Sequence, residues 1–188
     1  MCSSDLTKLA ESDLETLTSL LDVRVVVGPA TADAATLVHR VRRVARRRRA
    51  ALIEELAAAA ALRRERPGPV AEVLEPDLKD GSGGLRDLQS LSWAGWALGP
   101  GGPSAVAAVG ALHGEDLGDL ARANAALLEV RVALHRVSGR PSNRLLLQDQ
   151  DAVATLLRRP DADALMRSVA EAGRSVAWIA DQIGRAHV

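Results

Sequence analysis

Leu74-Glu75-Pro76-Asp77-Leu78-Lys79-Asp80-Gly81-Ser82-Gly83-Gly84-Leu85-Arg86-Asp87 is the stretch on which the fold turns. Its apolar opening, from Val73, predicts a short buried strand, which Pro76 ends because its nitrogen has no hydrogen to donate. Three glycines within Gly81 to Gly84 predict a loop free to take positive φ and to lie close to another group. Leu85, Leu88 and Leu91 follow at helical spacing, so a helix starts directly after the glycines. A glycine loop feeding a helix N-terminus can hold an anion, because free N–H groups and the positive end of the helix dipole point the same way. Lys79, the Gly83 and Gly84 amides and Arg86 are therefore phosphate-binding candidates. The plainer reading is a strand–turn–helix corner with solvated charges.

Outward from this stretch the chain reads as helices. Glu11 to Leu21 places Leu14, Leu17, Leu20 and Leu21 on one face, with Ser12 as its N-cap. Asp22 to Gly28 carries a β-branched run that suits a strand. Thr31 to Leu62 is a long helical stretch with a break near Ala50, its apolar face carrying Leu37, Val38, Val41 and Val44. Arg40, Arg42, Arg43 and Arg46 to Arg49 crowd the other faces. Without base-reading aromatics this run is better read as a solvated face beside Glu54, Glu55 and Glu65 than as a nucleic-acid surface.

Beyond the glycine loop, Gly99 to Pro103 is a loop and Ser104 to Leu112 a small helix. Asp116 to Val137 is a longer helix with an inward stripe of Leu117, Leu120, Ala123, Leu127, Val130, Leu134 and Val137. After a turn at Ser138 to Asn143, Asp149 to Leu157 and Asp161 to Gln182 complete the helices, the last with Leu165, Val169, Val176 and Ile179 inward. A helical bundle following a remnant of one or two strands is the expected fold.

Composition bounds the function. The 188 residues carry 24 basic and 24 acidic side chains, so no net field draws in nucleic acid. There is one Cys, which excludes a disulfide framework and suits a reducing cytoplasm. No apolar run reaches the roughly 18 residues of a membrane span, and no signal peptide is legible. Phe and Tyr are absent, which favours closely packed helices rich in Ala, Val and Leu over an aromatic core.

Two blocks of sequence carry a resemblance. Leu74 to Lys79, Gly83 to Asp87 and Trp93 form the first. Arg131, Leu134, His135, Arg140, Asn143, Arg144, Leu145, Leu146, Gln150, Val153 and Ala154 form the second, in order and at matching distances. Together they resemble the bacterial PII uridylyltransferase/uridylyl-removing enzymes, members of the nucleotidyltransferase superfamily, from about Leu20 to Gln182. The resemblance implies a cytoplasmic enzyme that uses UTP and Mg²⁺ to place UMP on a tyrosine of the nitrogen-regulatory protein PII. Some relatives transfer AMP instead. For Asp22 to Gly28 the resemblance implies a helix-to-turn segment, the alternative to a strand.

On that reading residues 7–84 are the C-terminal part of a nucleotidyltransferase domain and residues 85–182 its helical domain. Glu75 is the expected catalytic and metal-binding carboxylate, with Asp77 as the alternative; a salt bridge from Glu75 to Lys79 or Arg86 is the structural reading. Arg131, His135, Arg140 and Arg144 join the phosphate-binding set. Asp87 caps the motif helix, and Trp93 and Gln150 are structural members of the motifs.

The family's paired metal carboxylates, an Asp-x-Asp strand after a Gly-Ser turn, have no counterpart in this sequence. Asp161-Ala162-Asp163 reads as a helix start. Residues 1–6 and 183–188 resemble translated sequencing adapter, so the chain is expected to be a fragment without activity of its own. A non-catalytic helical module that binds a protein is the alternative.

Overall fold

The computed structural model describes residues 13–23, 31–99, 101–108 and 112–186. Among them are eight helices: α1 (Leu14–Leu21), α2 (Thr31–Arg47), α3 (Arg49–Glu65), α4 (Leu85–Leu98), α5 (Pro103–Ala108), α6 (Gly114–Ser138), α7 (Leu147–Leu156) and α8 (Ala162–Ala186). The fold is mainly helical, as the periodicity predicts. The expected strand remnant is not there among the described residues. Pairing is limited to isolated bridges between Pro69 and Ser82 and between Asp77 and Arg144. The reason lies in the side chains: Leu74, expected inside a strand, is 75% exposed, and the next residue, Glu75, is polar.

Helix starts follow local chemistry. Asp13 caps α1 by accepting the Thr16 N–H at 2.7 Å, the place expected for Ser12, which lies outside the described residues with most of Asp22 to Gly28. Asp161 accepts the Ala164 N–H at 2.6 Å and so opens α8, as its sequence predicts. Gly139 ends α6 in the left-handed region at φ 66°. The break in the long N-terminal stretch falls at Arg48, two residues before Ala50. Arg48 pairs there with Glu55 at 2.9 Å.

The apolar residues sort into two clusters. The larger joins α4 to α8 and centres on Leu127, Leu134, Leu145, Val153, Leu165 and Val176, none measurably exposed. Each such side chain contributes about 1.5–3 kcal/mol of burial. The smaller joins α1, α2 and α3 to one face of α4 through Leu17, Val41, Leu52, Trp93 and Ala97. Helix α4 therefore belongs to both clusters, and the stretch that starts it is held from both sides. Arg42 of α2 lies over the Trp96 ring of α4 at 3.4 Å from its centroid, and burial together with neighbouring Arg46 lowers the Arg42 guanidinium pKa from its ordinary value.

Candidate functional site

The two motif blocks, some 60 to 70 residues apart in sequence, form one joint. Leu78 donates its N–H to the Asn143 carbonyl at 2.8 Å, and Leu145 donates to the Pro76 carbonyl at 3.0 Å. The Asp77–Arg144 bridge lies between these two bonds, so the segments run antiparallel for a few residues. The Gln150 side-chain amide reaches back to the Leu74 carbonyl at 2.8 Å. Arg131 of α6 fixes the same turn by donating to Asn143 Oδ1 at 2.8 Å.

Glu75 sits at this joint. One carboxylate oxygen accepts the Leu147 N–H at 3.1 Å, the other lies 3.4 Å from Arg144. Leu146, the residue at the N-cap of α7, has no side chain able to cap it, and Glu75 supplies that acceptor from 72 residues away. Its ion-pair partner is Arg144 rather than the expected Lys79 or Arg86. Asp77 folds back on its own backbone, accepting the Lys79 and Asp80 N–H groups at 2.9 and 2.7 Å. Among the described residues no three acidic, histidine or cysteine side chains gather as a metal site would require. With its oxygens engaged as described, Glu75 does not make a magnesium site with its present neighbours.

The glycine loop is closed as an anion cradle. Gly83 donates to Asp87 Oδ2 at 2.8 Å and Gly84 to the Gly81 carbonyl at 2.8 Å. Leu85 and Arg86 donate to the Leu78 and Lys79 carbonyls at 3.0 and 2.8 Å. The N–H groups proposed for phosphate are thus spent inside the loop. The glycines answer to packing instead. At Gly83, φ is +81°, and a Cβ would stand 2.3 Å from the Gly173 carbonyl of α8. At Gly84 it would stand 2.8 Å from the Gly81 carbonyl.

Asp87, expected to cap α4, instead ties down the loop before it: α4 has no side-chain cap, and Asp87 accepts the Gly83 N–H ahead of the N-cap Gly84. Its other oxygen takes the Arg63 guanidinium at 2.6 Å, with both side chains largely buried, so Asp87 also fastens α3 to α4. Arg86 is held away from the joint by Asp80 at 3.2 Å and Gln89 at 3.1 Å, and lies 5.8 Å from the Trp93 ring centroid. Trp93 is buried near Asp22; burial pushes the Asp22 carboxyl up, and the Trp93 side chain and Arg86 pull it back.

Of the remaining phosphate candidates, the joint gathers Arg131, Arg140 and Arg144, while the His135 ring lies one turn along α6 with its Nε2 buried and unbonded. The Arg140 carbonyl accepts from Ser142 and Ser138, leaving its side chain exposed. The Lys79 side chain is half-buried beside the joint. Three contributors were not assigned a role from sequence: Arg63, Asn143 as the turn's acceptor, and Gly173. The last carried a signal, since a glycine inside a helix costs about 1 kcal/mol against alanine and implies a close approach. A separate groove of about 1120 Å³ runs between α3, α4 and α8; Asp87 lines it, and Glu75, Lys79, Arg131 and Arg140 do not.

Residues 49–183 match the family model described as GlnD PII-uridylyltransferase. The chain is similar to a bifunctional uridylyltransferase/uridylyl-removing enzyme of Streptomyces coelicolor, 39% identical over 187 residues, covering 95% of this chain and 20% of that protein. Proteins of the same description from Mycobacterium tuberculosis strain CDC 1551 and from Erythrobacter litoralis are 37% identical over 181 residues and 36% over 155. These matches cover 95% and 82% of this chain, and 21% and 17% of those proteins. The chain thus spans about a fifth of the length of the curated relatives it matches. No solved structure matches it.

Proposed function

We propose, for a chain that belongs to the GlnD PII-uridylyltransferase family, that it forms the helical scaffold beside the nucleotide-transfer site of a longer enzyme. That enzyme would transfer UMP from UTP to a tyrosine of PII. The tyrosine oxygen bonds to the α-phosphorus, pyrophosphate leaves, and the tyrosine proton passes to a base. Magnesium, when bound, would offset charge on the leaving pyrophosphate. Among the described residues no donor set gathers to hold it, so its carboxylates would come from elsewhere in the longer enzyme.

The observation that supports this role is the joint itself. The residues that carry the family resemblance are spent on joining Leu74–Lys79 to Asn143–Gln150 through four hydrogen bonds and an ion pair, with Arg131 bonding the Asn143 side chain from α6. Such a joint holds backbone to a fixed geometry, which is what positioning a triphosphate requires. Lys79 and Arg140 flank it with side chains that the structure leaves available for phosphate oxygens.

The proposal predicts no transfer by this chain alone, and transfer by the longer enzyme given UTP, magnesium and PII. In the longer enzyme, Lys79→Ala or Arg140→Ala should raise KM for UTP while leaving the folding midpoint in place. Labelling of PII by the isolated chain would overturn the scaffold role. An unchanged KM in both variants would remove these two cations from the site.

A further inference from the structure

Helix α2 presents a row of positive charge without a counter-charge among the described residues. Arg40, Arg43 and Arg47 lie three and four residues apart, on one face, and all three are exposed. Exposed His39 and half-exposed Arg46 flank the row. The adjoining face of the helix is core, through Val41, Val44 and Ala45. None of the three arginines has a hydrogen-bond or ion-pair partner among the described residues. Elsewhere the fold spends its acids on arginines: Glu55 on Arg48, Asp87 on Arg63, Asp181 on Arg64, Asp80 on Arg86, Glu75 on Arg144, Glu129 on Arg159. Like charges three or four residues apart oppose the helix that carries them, so an unpartnered row is kept at a cost to its own helix.

We propose that this face docks an acidic α-helix of a separate protein, with carboxylates at three- and four-residue spacing opposite Arg40, Arg43 and Arg47. The row is straight and about 10 Å long, at 1.5 Å rise per residue. Planar guanidinium forks take carboxylates two bonds at a time. A nucleic-acid strand fits less well. The chain has zero net charge to attract it. The nearby ring, Trp96, already has one face taken by Arg42, where a base would stack. A second copy does not supply the matching row: no helix among the described residues carries three acids at successive three- and four-residue spacing.

The test is fluorescence anisotropy of this chain with a labelled helical peptide bearing glutamates at alternating three- and four-residue intervals. The R40Q/R43Q/R47Q variant should bind at least about tenfold more weakly, with affinity in the wild type falling as salt rises. The control R136Q/R167Q/R174Q removes the same charge from other exposed positions and should bind like the wild type. Circular dichroism checks that helicity is kept; if the triple variant loses it, the single R43Q makes the comparison. Equal losses in both triple variants would mean bulk charge only and overturn the proposal. So would tighter binding of a duplex DNA of matched length, or loss of peptide binding in the longer enzyme, where the face would be covered from within.

Discussion

Gln150 donates its side-chain amide to the Leu74 carbonyl at 2.8 Å, a bond between α7 and the segment 76 residues before it. Gln150 is 5% exposed, so its amide has no water to turn to. Gln150→Leu keeps the volume and removes the donor, which should cost about 1–2 kcal/mol. The measurement is the urea midpoint, with the slope unchanged. A midpoint equal to the wild type would mean that the joint does not depend on this bond.

The Arg63–Asp87 pair is largely buried, and Asp87 also ties down the loop through the Gly83 N–H. Removing one partner strands the other charge. Asp87→Ala should therefore cost about 3–5 kcal/mol. The double variant Arg63→Met/Asp87→Ala should recover part of that loss, because no buried charge is left unpaired. A double-mutant cycle by chemical denaturation reads the coupling. Strict additivity would show that the two side chains do not act together.

Gly83 and Gly139 share positive φ but not surroundings. A Cβ at Gly139 meets nothing within 4 Å, whereas at Gly83 it meets the Gly173 carbonyl at 2.3 Å. Gly139→Ala should cost about 1 kcal/mol, from backbone conformation. Gly83→Ala should cost clearly more, because α8 must move away from the loop. Thermal midpoints of the two variants make the comparison, and equal shifts would refute the packing explanation of the loop.

These residues show what a sequence does and does not disclose. Helical spacing placed Leu127, Val130 and Leu134 on α6 and Leu165, Val169 and Val176 on α8 inward, because a helix repeats its faces every 3.6 residues whatever lies opposite. The glycine cluster was equally visible, but its cause was not. Free amides and a close neighbour both call for glycine, and only the position of Gly173 decides between them. The joint was legible as two motifs in register, whereas the bonds from Leu78 to Asn143 and from Leu145 to Pro76 are backbone to backbone and leave no residue-type signature. The strand expectation failed for a related reason. An apolar opening followed by proline fits an irregular segment as well as a strand, and Leu74 points to solvent.

Asp22, which ends α1, has its carboxyl pushed above its ordinary value of 3.8 by burial. The folded state therefore favours the protonated form. Its penalty is absent below about pH 3.8, where both states hold the proton, and is complete once the pH has risen past the folded value. Asp22→Asn keeps an oxygen to face the Trp93 side chain and removes the charge. It should raise the thermal midpoint at neutral pH, and the advantage should shrink to nothing as pH falls toward 3.8. Solvent access to this position keeps the effect small. Asp13, the α1 cap, moves in the other direction: its carboxyl is lowered by the Thr16 hydrogen bonds, so its contribution is lost on acidification. A midpoint difference between wild type and Asp22→Asn that grows at low pH would contradict the assignment.

Glu75 distinguishes a structural carboxylate from a metal ligand. As the remote cap of α7 it needs one acceptor oxygen for the Leu147 N–H, which glutamine also has. Its bridge to Arg144 is largely solvent-exposed on the arginine side and contributes about 0–1 kcal/mol. Glu75→Gln should thus fold with near wild-type stability, while Glu75→Ala, which leaves the helix start uncapped, should lose about 1 kcal/mol. In the longer enzyme the glutamine variant should keep UMP transfer to PII, because the charge of Glu75 serves Arg144 rather than a cation. A metal ligand behaves otherwise: losing the charge would remove several kcal/mol of transition-state stabilisation and slow transfer about a hundredfold or more. A glutamine variant that folds like the wild type but transfers at that reduced rate would make Glu75 a member of the catalytic site.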